Sequence, residues 1–484
     1  MSSTTTSEGL FRRSIRTISN YVPQVPKPKK KISLAEKFVW TGIALFAYLI
    51  MGQIPLYGVT SDPKFDFLQF ARVIFAAQQG TLMELGIGPI VTAGLLMQLL
   101  KGSELIKLDF KNPDDRSLFT SATKIVTIIV ICAEGGLYGA SVYGPLVSTE
   151  TPGIIYIVIA QLIGSSIIVM LMDELVQKGW GVGSGLSLFI MAGIASSILW
   201  NVFSPVPAND GPVGILPFTI DAASTGHASD AFLRTGKLPS IMGLGLTVGV
   251  ILVLVYIEGI HVDVPIVSTK YRGFTAVYPI KLLYTSVIPV ILTSALVANA
   301  VFMGQMLWAN YNPNNDNPVF NYIAQFDANS QTRGQATPTG GILYYLTSPR
   351  SFDRVLADPL HAVLYVIIYT TIVTIFSRLW VELGGLSART AAKNLLDADV
   401  QVPGFRRAEG SVEVLLGKYI PSLTIMSGII LGLLASLSDI LNVYGTGTGL
   451  LLMVNIMVSY YQTLVKEQVD AYMPGLAALL GRKQ

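Results

Sequence analysis

This sequence predicts an all-α membrane protein of ten transmembrane helices, and three observations carry the prediction. Hydrophobic residues make up 51% of the 484 positions and charged ones only 13%, against roughly 25% charged in soluble domains. The mean hydropathy is +0.56. Apolar windows long enough to cross a hydrocarbon core, about 17 to 25 helical residues each, begin near Phe38, Leu82, Leu118, Gly153, Leu186, Ser240, Leu282, Leu360, Tyr419 and Gly447. Basic residues also cluster in alternate connections. An even number of spans puts both termini on one side, and placing them in the cytoplasm puts 26 of the 33 Lys and Arg there, as the positive-inside rule expects.

In chain order, residues 1–37 form a cytoplasmic tail. Within it Phe11, Ile15 and Ile18 lie among Arg12, Arg13 and Arg16 as a weak amphipathic face, suited to an anionic membrane surface or to plain solvation. This tail lacks the apolar core and small-residue cleavage site of a signal peptide, so insertion falls to the first span. Residues 38–202 hold five spans, 203–239 an external hinge loop, and 240–464 five more spans with cytoplasmic loops at 260–281 and 381–418; residues 465–484 form a cytoplasmic tail. Five spans on each side of the hinge permit two halves of opposite topology, an inverted pseudo-repeat, although no identity between the halves shows one. The long external connections are rich in Asn, Gly, Pro, Ser and Thr, and are expected to be ordered only where they cap the membrane domain. The cytoplasmic loops combine basic, β-branched and turn residues, and so project and present charge.

The stretch from Phe65 to Leu100 departs from a plain span. An amphipathic segment feeds through Gln78-Gln79-Gly80 into an apolar helix interrupted by GIGP, like half a membrane helix joined to a whole one. Gln69, Arg72 and Gln78 at membrane depth require shielding by protein or a water-filled cavity. Ile87 and Val91 are four apart and share a helix face. Thr92 lies about 140° from Ile87 at ~100° per residue, so it can serve a helix contact whether the two aliphatics pack or face a lumen.

Chemistry of other kinds finds little support. His227, His261 and His361 are far apart, with no HExxH spacing, and the single Cys132 precludes an intramolecular disulfide. GVGSG after Trp180 lacks the preceding strand and the Lys-Ser/Thr ending of a phosphate cradle. No catalytic residue, metal or cofactor is expected, and a net charge of +3 does not by itself imply nucleic acid. Of the carboxylates near spans, Asp173, Glu174, Glu258 and Glu382 read as solvated boundary residues; Glu84 also lies beside a span, and Glu134 is deep enough to need a partner inside the bundle.

GTLMELGIGPIVTAGLLMQLL, YPIKLLYTSVIPVILTSALVAN, the GFRR loop and GTGTGLLLMVNI together closely resemble the SecY family, the channel subunit of the protein translocase, from about Leu34 to the last span. The second span and GKYIPSLTIMSG resemble the archaeal branch. The resemblance implies two five-helix halves around an hourglass pore that passes unfolded polypeptides and releases hydrophobic helices sideways into lipid. Its aliphatic ring would be Ile87, Val91, Leu186, Ile190, Ile291 and Leu452. Such side chains form a deformable seal without hydrogen bonds that trap a moving chain, and an apolar constriction resists ions by dewetting. A re-entrant plug at about 61–78 would contain Phe65, Phe67, Leu68, Phe70, Ala71, Val73 and Ile74. Thr92, Gln98, Glu134 and Asn299 match the polar cluster of a lateral gate. Lys270, Arg272, Arg406 and Arg407 match ribosome-docking loops, where Arg binds phosphate bidentately and stacks on bases.

Partners implied by the resemblance are a SecE-like gamma subunit and a small beta subunit, a ribosome, signal sequences and nascent polypeptides, and membrane lipid. The expected location is the plasma membrane, with the endoplasmic reticulum as the alternative. A secondary transporter is the competing class, since interrupted helices also suit it, and an RNA-binding membrane scaffold is a third.

Overall fold

A computed structural model of the chain describes residues 12, 15, 17–19, 21–30, 32–59, 72, 75–102, 106, 112–143, 153–208, 211–225, 231–232, 234, 238–268, 275–312, 314–326, 338–349, 352–397, 400–401, 409–441 and 443–472. The ten expected spans correspond to helices α1 (Leu34–Met51), α2 (Gly88–Gly102), α3 (Pro113–Tyr138), α4 (Ile154–Leu175), α5 (Gly185–Phe203), α6 (Ile241–Gly259), α7 (Ile288–Tyr311), α8 (Pro359–Leu383), α9 (Glu409–Ile440) and α10 (Gly447–Tyr472). Nine helices among the described residues are long and apolar enough to cross a bilayer. The exception is α2. Its 15 residues reach roughly 22 Å at 1.5 Å per residue, short of a ~30 Å core, and turns at residues 82–87 precede it. Two further boundaries differ from expectation, because α7 begins six residues after Leu282 and α9 begins ten residues before Tyr419.

Helix starts follow their capping residues. Ser33 and Glu36 form a reciprocal capping box at α1, Asn112 with Pro113 opens α3, Ser240 caps α6, and Asp358 with Pro359 opens α8. Each side-chain oxygen satisfies a backbone N–H that the first helical turn leaves unpaired. The His361 N–H also holds the Asp358 carboxyl below the usual carboxylate range.

Residues 1–193, 301–339 and 456–484 form one compact unit, and residues 194–300 and 340–455 a second. In the first unit, Lys37 Nζ lies 2.6 Å from Glu467 Oε1, tying the start of α1 to the end of α10. Tyr48 of α1 stacks on Phe189 of α5 at 4.8 Å. The N-terminal tail sits on protein: Ile15 is buried with Met97, Leu118 and Ala122, Arg12 pairs with Asp115 at 3.1 Å, and Trp180 Nε1 donates to the Pro26 carbonyl at 2.7 Å. Burying Ile15 removes apolar area from water, while Arg12, Ile18 and Tyr21 stay exposed.

In the second unit, α8 and α9 approach at Gly428 and Gly432, where an added Cβ would lie 2.8 Å from Thr374 Cα and 2.7 Å from Thr370 Cα. This is the small-residue spacing that lets membrane helices touch backbone to backbone. The loops expected to be cytoplasmic are β-structured. Strands β1 (His261–Ser268) and β2 (Thr275–Lys281) form an antiparallel hairpin, and β3 (Val400–Gln401) adds to β1 with Val267↔Gln401 and Ser268↔Val400 as partners. Beneath them Ile280, Ala391, Ala392, Leu395, Val412 and Leu416 form a small core. In the loop expected to be an external hinge, Ile215, Phe218 and Ala222 pack on Tyr444, Ile198, Val202 and Leu244.

Candidate functional site

All seven residues assigned to the plug, Phe65, Phe67, Leu68, Phe70, Ala71, Val73 and Ile74, lie outside the described residues. The C-terminal exit of that segment is well defined. Arg72 Nη2 lies 2.8 Å from Glu84 Oε1, and the same oxygen accepts from the Tyr138 hydroxyl at 2.6 Å. The other carboxylate oxygen accepts from the Tyr143 hydroxyl at 3.0 Å and from the Gly80 N–H. Glu84 is fully buried, so this set of donors is what makes its charge tolerable there. Sequence reasoning named Arg72 and Glu84 without pairing them; the available signal was a cation and an anion flanking the Gly80 turn.

From Glu84 the chain turns into α2. Gly86 is required: its φ is +55°, and a Cβ would sit 2.1 Å from the Phe75 carbonyl oxygen. That carbonyl accepts the Ile87 N–H at 2.7 Å, fixing Ile87 against Phe75. Ile87, at 0% exposure, is sealed within protein, and Val91 on α2 is half-buried.

On α5, Ile190 is buried and Leu186 half-buried. Asp173 Oδ1 of α4 accepts the Leu186 N–H at 2.8 Å, and its other oxygen accepts from Gln177 Nε2 at 2.7 Å. Asp173 is thus a buried cap on the first turn of α5 rather than a solvated boundary residue, because a helix N-terminus offers unpaired N–H donors and a partial positive charge. Glu174 is likewise engaged, with Lys124 Nζ at 2.7 Å and Lys178 Nζ at 2.8 Å. Asp173 therefore positions the first turn of α5, a role that sequence reasoning missed.

The second unit holds the other ring positions. Ile291 is half-buried on α7, a helix anchored to α8 by Ser294 Oγ and the Tyr369 hydroxyl at 2.8 Å. Just before that helix, Thr285 Oγ1 lies 2.7 Å from Ser427 Oγ. Leu452 is fully buried on α10, whose first turn is capped by Asp439 through the Gly447 N–H at 2.7 Å and Thr448 Oγ1 at 3.1 Å.

The gate residues divide in the same way. Thr92 and Gln98 on α2 and Glu134 on α3 belong to the first unit, and Asn299 on α7, half-buried, to the second. Thr92 and Glu134 face each other closely enough for their side chains to interact. Their geometry stops short of a full hydrogen bond: Thr92 Oγ1 and Gln98 Oε1 are buried without a bonded partner among the described residues. Each such atom carries a desolvation cost of about 1–3 kcal/mol, so this cluster is held less firmly than the Glu84 hub.

Lys270, Arg272, Arg406 and Arg407 fall outside the described residues. Their two loops are nevertheless joined, since β1 and β2 flank the first pair and β3 precedes the second. Among the described residues no group of three or more His, Cys, Asp and Glu side chains could hold a metal ion.

Comparison with known proteins accounts for this arrangement. The SecY family model matches residues 81–461, and a model described as the plug domain of Sec61p matches residues 46–80. The chain is 40% identical over 471 residues to protein transport protein Sec61 subunit alpha of Dictyostelium discoideum, covering 95% of this chain and 97% of that one. A solved structure described as a protein conducting channel superimposes with a TM-score of 0.79 at 35% identity, covering 95% of this chain and 98% of its own. Sec61 in the canine ribosome-channel complex from the endoplasmic reticulum superimposes with a TM-score of 0.77 at 34% identity, with the same two coverages. The chain belongs to the SecY family of translocation-channel subunits, together with Sec61 subunit alpha.

Proposed function

We propose that this multi-pass membrane protein is the channel subunit of a protein translocase, a passive pore that passes unfolded polypeptides and releases transmembrane segments into lipid. The observation that carries this reading is its near full-length match to Sec61 subunit alpha, over 95% of the chain. It is a transport protein rather than an enzyme, and energy comes from its partners. The ribosome is the cytoplasmic partner, in line with the canine ribosome-channel complex and the yeast Ssh1 complex bound to the 80S ribosome among its structural neighbours. A SecE-like gamma subunit and a small beta subunit complete the assembly, with signal sequences and nascent chains as its clients.

Within this reading, residues 38–202 and 240–464 are two five-helix halves hinged at 203–239. The ring of Ile87, Val91, Leu186, Ile190, Ile291 and Leu452 seals around the passing chain, supported by the caps at Asp173 and Asp439 that hold the ring helices. The plug at about 61–78 closes the external side, and its exit is tethered by Arg72 and Glu84. Thr92, Gln98, Glu134 and Asn299 bias the lateral gate shut. Polar contacts between membrane helices average only ~0.6 kcal/mol, so a hydrophobic signal helix can displace them. Lys270, Arg272, Arg406 and Arg407 dock the ribosome.

The archaeal-type wording of the second span favours the plasma membrane, and the source of the canine complex favours the endoplasmic reticulum. Fractionation of the native cell separates these two locations. Function is tested by reconstituting the subunit with its small partners in proteoliposomes and supplying ribosome-bound, signal-bearing chains. Protease-protected chains are expected; their absence, with ribosomes bound, would contradict the reading.

A further inference from the structure

The β1–β2 hairpin, whose connecting sequence includes Lys270 and Arg272, is connected at its base to the helix carrying Ile291. Its ladder runs from Val267↔Thr275 down to His261↔Lys281, and the Leu282 N–H closes the base on the Ile260 carbonyl at 2.9 Å. Lys281 Nζ lies 2.8 Å from Glu258 Oε1 at the end of α6. The second oxygen of Glu258 accepts from Asn455 Nδ2 of α10 at 3.3 Å. Ser286 Oγ donates to Asn455 Oδ1 at 3.2 Å, two residues before α7 begins and at a φ of +55°.

The orientation of Asn455 is fixed by these partners. A carboxylate only accepts, so the amide nitrogen must face Glu258 and the oxygen must face the serine hydroxyl. Glu258 was expected to be a solvated boundary residue, yet its side chain is only 8% exposed, whereas Lys281 is 43% exposed. The buried carboxylate needs both of its partners, which makes the circuit from hairpin base to α10 stiff. Asn455 lies three residues from Leu452, on the same side of the helix, and Ser286 lies five residues before Ile291.

We propose that Glu258 and Asn455 are positioning residues that transmit a load on the β1–β2 hairpin to the helices bearing Leu452 and Ile291. Ribosome docking tilts the hairpin, Lys281 moves Glu258, and Asn455 carries the displacement into α10 one turn from the ring. A hairpin with a continuous antiparallel ladder acts as a rigid lever, and coupling through such an element biases both ends reciprocally. This proposal rests on the docking reading of the cytoplasmic loops given above.

The test uses the complete heterotrimer in proteoliposomes with non-translating ribosomes as the probe, measuring ribosome affinity and ion leak separately. Wild type should bind ribosomes and change its leak on binding. Asn455→Leu should bind with unchanged affinity, while its ribosome-dependent change in leak falls at least about fivefold, the lower end of ordinary coupling between sites. Lys281→Glu should lose the response as well, and adding Glu258→Lys to it should restore the response by re-forming the ion pair in reverse. If Asn455→Leu binds ribosomes and responds like wild type, the relay is wrong while docking stands. If Asn455→Leu proves unstable, the charge-reversed pair decides, and failure of the reversal to restore the response overturns the relay. If wild type does not bind ribosomes at all, the docking reading falls and takes the relay with it.

Discussion

Arg72 Nη2 and Glu84 Oε1 lie 2.8 Å apart across the Gly80 turn, with the carboxylate fully buried and the guanidinium largely so. The pair joins the exit of the plug segment to the turn that launches Ile87, so changing either residue should affect both the seal and the fold. Removing one partner of a buried ion pair costs about 3–5 kcal/mol. Arg72→Ala leaves Glu84 with Tyr138, Tyr143 and the Gly80 N–H, so its loss should fall at or below the low end of that range. Glu84→Ala removes the acceptor that Arg72, Tyr138, Tyr143 and the Gly80 N–H share and should cost more. Thermal unfolding of the purified complex tests the order, and an inverted order would show that contacts of Arg72 other than Glu84 hold the exit.

Asp173 should behave as a cap. Asp173→Asn keeps an oxygen for the Leu186 N–H, whereas Asp173→Ala removes it and should cost about 0.5–2 kcal/mol. The same alanine variant should raise ion leak by loosening the first turn that carries Leu186. Equal stability of the two variants, by thermal unfolding, would remove the cap from the account.

The α8–α9 contact depends on absent side chains. Gly432→Val places its new atoms against Thr370, and overpacking of this kind costs about 1–3 kcal/mol. Gly417 on the same helix has open space around it, so Gly417→Ala should be nearly silent. Thermal unfolding of the pair distinguishes a packing contact from a general intolerance of α9 to substitution.

Burial pushes the Tyr444 phenol up to about 12, from about 10 in an unfolded chain. The folded state therefore keeps this proton longer than the unfolded state. Its contribution is intact below about pH 10 and lost as the pH climbs through about 12. Tyr444→Phe also removes the hydroxyl that donates to the Ser240 carbonyl at 2.5 Å, so it should be less stable at pH 8 yet show a shallower fall in stability between those limits. Urea unfolding at stepped pH measures both, and identical slopes would exclude Tyr444 from the alkaline transition.

The spans were legible because burial in lipid imposes long apolar windows. The interruption at GIGP was legible too, since Gly86 and Pro89 are visible punctuation, and α2 is indeed the short helix. What stayed hidden depends on which helices become neighbours. Asp173 and Glu258 looked like boundary residues because sequence gives depth along a helix but not the face; only the packed structure brings the Leu186 N–H and Asn455 to them. The β1–β3 pairing joins segments more than 130 residues apart, which no local pattern announces. The ring, gate and docking assignments came from family motifs rather than from physical spacing, and the gate's buried Thr92 and Gln98 oxygens show why: polar atoms without partners give no pattern to read.

The central claim is that a translocating chain passes Ile87. A photo-crosslinking residue at position 87, in the assembled complex bound to a stalled signal-bearing nascent chain, tests it most directly. The account predicts a strong crosslink to the nascent chain that disappears when the chain is released. A functional complex that protects its nascent chain from protease yet gives no crosslink at position 87 would contradict it.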